Sequence, residues 1–206
     1  LTLPARAIGA VLRLHIVSAA PFTKAGRLVK RLPAPPPNTM NGFAQAKEIE
    51  RVAMQELMPW LTHKFSPIEL CENEFLQKTL GDFTIQQQLN RRSVELKAEQ
   101  KFTGNLFLEV WSNRPARTLG WLFTSRADLL AYYFCDNRQL FVFSLPKLQD
   151  WAFGIGSAQG AIYAYPEKVQ TRYNQLNYSF GRCVPIKTLD DAKVPMRIFG
   201  PGDRTQ

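Results

Sequence analysis

Residues 81–113 read GDFTIQQQLNRRSVELKAEQKFTGNLFLEVWSN. Period-two alternation predicts a strand over 81–88, with Asp82, Thr84, Gln86 and Gln88 on one face. Residues 89–92 supply a turn through Asn90. A second strand follows over 93–98. Ser93, Glu95 and Lys97 share one of its faces, and Val94, Leu96 and Ala98 share the other. Residues 102–105 (FTGN) form a turn marked by Gly104 and Asn105. A third strand over 106–111 sets Leu106, Leu108 and Val110 opposite Phe107, Glu109 and Trp111. Acids stand in this stretch where the pattern otherwise calls for apolar residues or surface filler.

Outward from the hairpin, residues 43–65 predict a helix. Phe43, Ala46, Ile49, Ala53, Leu57, Trp60 and Leu61 recur at helical spacing and make one apolar stripe. Glu50 lies beside that stripe. It is either a boundary residue pairing with a lysine or an acid aimed at a site under the helix. Pro67 ends the pattern, and 68–80 reads as a second helix. Downstream, 120–134 (GWLFTSRADLLAYYF) takes helical spacing, with Ala127, Leu130, Ala131 and Phe134 as its stripe. Ser125 and Asp128 are spaced there like a capping box. Residues 139–144 predict a strand, 145–153 a short amphipathic helix, 154–160 a loop and 173–186 one or two late strands.

The chain of 206 residues is long enough to bury a real core. Its 45% apolar and 21% charged content is ordinary for a globular protein. No apolar run reaches the roughly 18 residues of a membrane helix. Cys71, Cys135 and Cys183 stand far apart, and with two histidines they argue against a zinc site. An odd, unpatterned cysteine count points to reduced thiols and a cytoplasmic setting.

The net charge of +9 favours polyanionic partners. Six of the basic residues, Arg6, Arg13, Lys24, Arg27, Lys30 and Arg31, fall in 1–40, which holds no acid. That segment is a basic, proline-rich tail. It reads as a disordered or non-native tail, a basic arm, a cleaved targeting peptide, or sequence upstream of a start at Met40. A single folded domain is expected over 41–199, and a frayed polar tail over 200–206.

The acids of the hairpin suit phosphodiester chemistry. One or two divalent ions can activate a water and neutralise the developing charge when carboxylates hold them. Mg²⁺ prefers one or two carboxylates plus water and substrate oxygens. Glu95 and Lys97, two apart, project from one strand face. Leu96 between them turns to the core and offers its carbonyl as an extra ligand. Asp82, on the preceding strand, can reach the same patch. Glu-x-Lys alone is weak, since about one match is expected by chance in a chain this long. Glu99-Gln100-Lys101 and Asp191-Ala192-Lys193 are such decoys. Glu109, flanked on its own face by Phe107 and Trp111, needs a metal, a lysine or solvent if buried. The plain alternative for Glu95 and Lys97 is a solvated strand face.

Together these motifs resemble the PD-(D/E)XK nuclease superfamily, in particular its small bacteriophage-type members. The resemblance runs through Asp82, Glu95-Leu96-Lys97, the run from Thr103 to Asn113, the run from Gly120 to Phe134 with Thr124, Ala127 and Asp128, and the late CVPIKTL from Cys183 to Leu189. It covers roughly residues 43–190. It implies an α/β fold with a central mixed sheet flanked by helices, a restriction-endonuclease-like core. It also implies Mg²⁺ (with Mn²⁺ as substitute) on Asp82 and Glu95, Lys97 as catalytic lysine and Glu50 as the acid from the first helix. Two departures stand out: Leu80-Gly81-Asp82 lacks the proline of the superfamily's name, and Trp121 replaces a small polar or isoleucine residue.

The expectation is therefore a Mg²⁺-dependent deoxyribonuclease, with Glu109 as a second-tier ligand and nucleic acid, DNA first, as partner. It would work in the cytoplasm, the host's if phage-encoded, without a membrane, as a homodimer or in a larger assembly. The rivals are a nuclease-like fold kept as a DNA-binding or structural component of a larger phage assembly, and an RNA nuclease.

Overall fold

The computed structural model describes residues 42–65, 67–73, 76–77, 80–87, 89–154, 160–172 and 177–200. The tail expected over 1–40, the tail expected over 200–206 apart from Gly200, and most of the loop expected over 154–160 lie outside them.

Helix α1 spans Gly42–Lys64. Its apolar stripe is the one expected: Ala53, Leu57, Trp60 and Leu61 are buried, while the side chains of Phe43 and Ala46 lie outside the description. Ten strands follow among the described residues: β1 (Ile68–Leu70), β2 (Phe83–Gln87), β3 (Asn90–Glu99), β4 (Asn105–Asn113), β5 (Thr118–Leu119), β6 (Leu129–Phe134), β7 (Gln139–Ser144), β8 (Glu167–Arg172), β9 (Asn177–Pro185) and β10 (Met196–Phe199). Three short helices interrupt them: α2 (Trp121–Thr124), α3 (Leu145–Phe153) and α4 (Ile186–Asp191).

The architecture is α/β, with a mixed sheet flanked by helices. The larger sheet has the order β1-β2-β3-β6-β7-β10 and the smaller β5-β4-β9-β8. In the larger sheet only β3 and β6 run parallel. One apolar cluster lies between α1 and the larger sheet, where Ala53, Leu57 and Trp60 meet Phe83, Val94, Leu96, Ala131 and Tyr133. The other joins the two sheets, with Leu106, Leu108 and Val184 against Leu130, Tyr132, Phe134 and Phe143. Burying such side chains contributes roughly 1.5–3 kcal/mol each before chain entropy is counted. No described helix is long and apolar enough to cross a membrane.

The hairpin forms as its alternation predicts, but its turn is tighter. β3 already begins at Asn90, and Arg91 and Arg92 pair with Gln86 and Ile85. The helix expected over 120–134 is not one. It is the single turn α2, then strand β6. Neighbours on both edges and apolar layers on both faces make β6 a continuous apolar run. Such a run carries helix-compatible spacing by default. The helix expected over 68–80 starts as a strand, with Ile68, Glu69 and Leu70 paired to Ile85, Thr84 and Phe83, and its described residues 76, 77 and 80 are helical as expected. The third strand of the opening stretch, β4, belongs to the second sheet, where it pairs with β9 some seventy residues on.

Candidate active site

The site grows from where β2 stops. Their pairing ends at Phe83 with Val94. Beyond Val94 no strand among the described residues lies against the β2-side edge of β3. Gly81 and Asp82 take over. The Asp82 N–H donates to the Val94 carbonyl at 2.8 Å, and the Asp82 carboxylate accepts the Leu96 N–H at 2.7 Å. Asp82 thus completes the ladder with a side chain. Gly81 makes this possible. Its φ is +93°, and a Cβ there would stand 2.5 Å from the Val94 carbonyl oxygen.

In an extended strand the N–H and C=O of one residue point to the same edge. The Leu96 carbonyl therefore faces the edge that Asp82 occupies, while the Leu96 side chain is buried against α1.

Glu95 aligns with Leu130 and Lys97 with Tyr132 in the β3–β6 pairing. Leu130 and Tyr132 belong to the core between the sheets, so Glu95 and Lys97 project to that side. The solvated strand face weighed above is ruled out: Glu95 is 6% exposed. A carboxylate there must be paired. Its Oε1 lies 2.8 Å from Lys97 Nζ, and its Oε2 accepts a hydrogen bond from the Ser125 hydroxyl at 3.0 Å. Glu50, from α1, brings Oε1 to 3.6 Å from Lys97 Nζ. It is thus the partner of a lysine, one of the two readings foreseen for it. The Lys97 side chain keeps 20% of its exposure, so the cluster opens to solvent on one side.

The charges act on each other. Burial pushes the Asp82 carboxyl up, Lys97 pulls it down and Glu95 pushes it up again, for a pKa of about 6. Burial is the strongest single influence on Lys97 and acts to lower it. The combined attraction of Glu95, Glu50 and Asp82 outweighs burial and holds the ammonium well above the ordinary lysine range.

Glu109 is buried at 3% exposure on β4 of the second sheet, and the ion pairs of Lys97 do not include it. Gly120 packs so close that a Cβ would stand 2.7 Å from the Glu109 Cγ. The strand register shifts between Glu109 and Trp111, which interrupts the simple alternation that set Glu109 beside Trp111.

Ser125 and Asp128 do not cap a helix. Ser125 follows the end of α2 and bonds Glu95. Asp128 accepts the Ser93 N–H at 2.8 Å and the Ser93 hydroxyl at 3.1 Å, tying the start of β6 to β3. Ser125 is the site residue that sequence reasoning missed, because a contact thirty residues apart leaves no local signal.

Among the described residues, no group of three or more His, Cys, Asp or Glu is placed to hold a metal ion. The candidate donors are the Asp82 and Glu95 carboxylates, whose charges act on each other, and the Leu96 carbonyl on the edge that Asp82 occupies, all hard oxygens. Such a set suits Mg²⁺, which takes its remaining ligands from water and substrate. Comparison with family models, with curated proteins and with solved structures gives no match.

Proposed function

We propose that this protein is a metal-dependent nuclease of the PD-(D/E)XK type, built on a restriction-endonuclease-like core and hydrolysing DNA phosphodiester bonds. One observation carries the reading: Glu95 and Lys97 pair just past the point where β2 ends, and there Asp82 bonds the β3 backbone and acts on the charges of both. Asp82, Glu95 and the Leu96 carbonyl would hold Mg²⁺, or Mn²⁺ in its place. When bound, the ion activates a water and neutralises charge on the phosphate. Lys97, protonated and partly exposed, donates to a phosphate oxygen or orients the attacking water. Glu50 holds the Lys97 ammonium from the helix side. Water adds to phosphorus, the P–O bond to the leaving oxygen breaks, and that oxygen takes up a proton. Glu109, buried behind Gly120, stands outside the ion pairs of Lys97 and is kept as an outlying ligand candidate.

A second reading, a non-catalytic nuclease-like component of a larger phage assembly, draws support from the same ion pairs. Lys97 already compensates Glu95 and Glu50 without a metal. Plasmid, linear DNA and RNA incubated with Mg²⁺ or EDTA decide between them. Cleavage that needs Mg²⁺ and vanishes in Lys97→Ala supports the nuclease. Wild type and Lys97→Ala behaving alike would end the catalytic reading, and cleavage of RNA alone would replace the substrate.

A further inference from the structure

The Glu95 carboxylate is held at both oxygens. Lys97 takes Oε1 and Ser125 takes Oε2. The hydroxyl is committed. An ionised carboxylate can only accept, and the other group near Ser125 Oγ is the Ala127 N–H, at 3.4 Å, which can only donate. The hydroxyl proton therefore points at Glu95. Ser125 is 1% exposed, so water does not compete for it.

Ser125 is itself fixed from a third element. Gln149, on α3, donates its side-chain amide to the carbonyls of Leu122 and Ser125, each at 3.0 Å. The Ser125 N–H closes the turn by donating to the Trp121 carbonyl, also at 3.0 Å. A half-buried glutamine thus pins α2 and the residue that follows it.

We infer that Ser125, locked by Gln149, is a positioning residue that sets the plane of the Glu95 carboxylate and turns it toward Lys97 and the open edge of β3. This rests on the nuclease reading insofar as it concerns a metal and catalysis. Ligand carboxylates are commonly oriented by such outer hydrogen bonds, and losing one typically costs 10–100-fold in metal affinity or activity. Gln149 touches neither Glu95 nor Lys97, so its effect passes through Ser125.

The test uses the full chain, Mn²⁺ titrated by electron paramagnetic resonance, plasmid cleavage, and the ¹³C carboxyl resonance of Glu95 in metal-free protein at neutral pH. Ser125→Ala is expected to move that resonance, weaken Mn²⁺ binding about 10–100-fold and slow cleavage in proportion. Gln149→Ala should act in the same direction with a smaller amplitude. The double variant should be no worse than Ser125→Ala, because both lie on one path. An unmoved Glu95 resonance in Ser125→Ala, or Mn²⁺ affinity within twofold of a wild type that binds it, overturns the proposal. Additive losses overturn the role of Gln149. A wild type that neither binds Mn²⁺ nor cuts DNA ends the nuclease reading instead. The Glu95 resonance then decides the positioning on its own.

Discussion

Glu95-Leu96-Lys97 and Glu99-Gln100-Lys101 are the same kind of tripeptide, four residues apart, the first within β3 and the second running off its end, and they have opposite fates. Glu95 is bracketed by Lys97 and Ser125, with Asp82 and Glu50 close enough to shape the local charge. Glu99 accepts a hydrogen bond from the Tyr132 hydroxyl, which in turn accepts the Phe107 N–H at 3.0 Å. Burial pushes the Glu99 carboxyl up, and the Tyr132 bond draws it partly back. Lys101 lies in the exposed bend after the strand, and no ion pair to it is found among the described residues. The third match, Asp191-Ala192-Lys193, spends its acid on an exposed pair with Lys187 at 2.7 Å. What separates the first from the others is its surroundings. Glu95 and Glu99 both lie past the last β2 pairing, but at Leu96 the Asp82 side chain stands in for the missing strand, and around Lys97 the acids Glu95, Glu50 and Asp82 gather. Glu99 instead ties β3 to the second sheet through Tyr132.

The sharpest way to break this comparison is to remove the two lysines in turn. Lys97→Ala is expected to lower plasmid cleavage about a thousandfold, and Lys101→Ala to leave it within twofold. Equal losses would show that position on the strand does not matter. Next in size is the glycine that builds the edge. Gly81 and Gly104 both have positive φ, +93° and +73°. A Cβ at Gly81 meets the Val94 backbone, whereas a Cβ at Gly104 meets nothing within 4 Å. Gly81→Ala is expected to cost roughly 3 kcal/mol in urea unfolding and Gly104→Ala about 1 kcal/mol. Comparable costs would mean that conformation alone, not the close approach to β3, decides Gly81. On the Glu99 side, Tyr132→Phe removes the hydroxyl that both Glu99 and the Phe107 N–H bond, at a cost of roughly 1–2 kcal/mol. It should leave cleavage unchanged, and a loss of activity would make Glu99 part of the site.

The hairpin was legible because an antiparallel pair with one face on a core shows clean alternation. Glu95 and Lys97 were legible for the same reason: periodicity assigns faces, and faces bring neighbours together. Glu50 followed from the helical stripe beside it, whereas Asp82, expected on the face of the first strand, sits just before β2 and reaches β3 through its edge. Strand β6 was not legible, because burial on both faces erases the alternation that distinguishes strand from helix. The second sheet was hidden too. β4 pairs with β9 across some seventy residues, and no local pattern records such a partner. Ser125 escaped for a third reason: a hydroxyl that bonds a carboxylate from a turn looks, in sequence, like any serine near the start of a helix. The exposure of Glu95 was misjudged in its plain reading because alternation gives a face and not its cover, and the cover came from the unforeseen sheet.

The smallest effect concerns Asp82, where the demands of the fold and of the site diverge. Its folded pKa of about 6 lies above the ordinary 3.8. Between those values the folded state holds more protons than the unfolded one. Stability of the metal-free protein therefore falls as pH rises from about 4 to 6, and the penalty is complete above that. Asp82→Asn keeps an oxygen to accept the Leu96 N–H and sheds the charge. In EDTA at pH 7.5 it is expected to be more stable than wild type by roughly 1–2 kcal/mol, allowing for partial solvent access. For a protein of this size that is a rise in Tm of roughly 2–8 °C. The gain should shrink toward zero near pH 4, and the same substitution should abolish cleavage. Glu99 is also pushed up by burial, but the Tyr132 bond draws it partly back. Thermal melts of Asp82→Asn across that pH range read the sign directly. A variant less stable than wild type at pH 7.5 would make Asp82 a structural partner of Lys97, on the same footing as Glu99 and Tyr132.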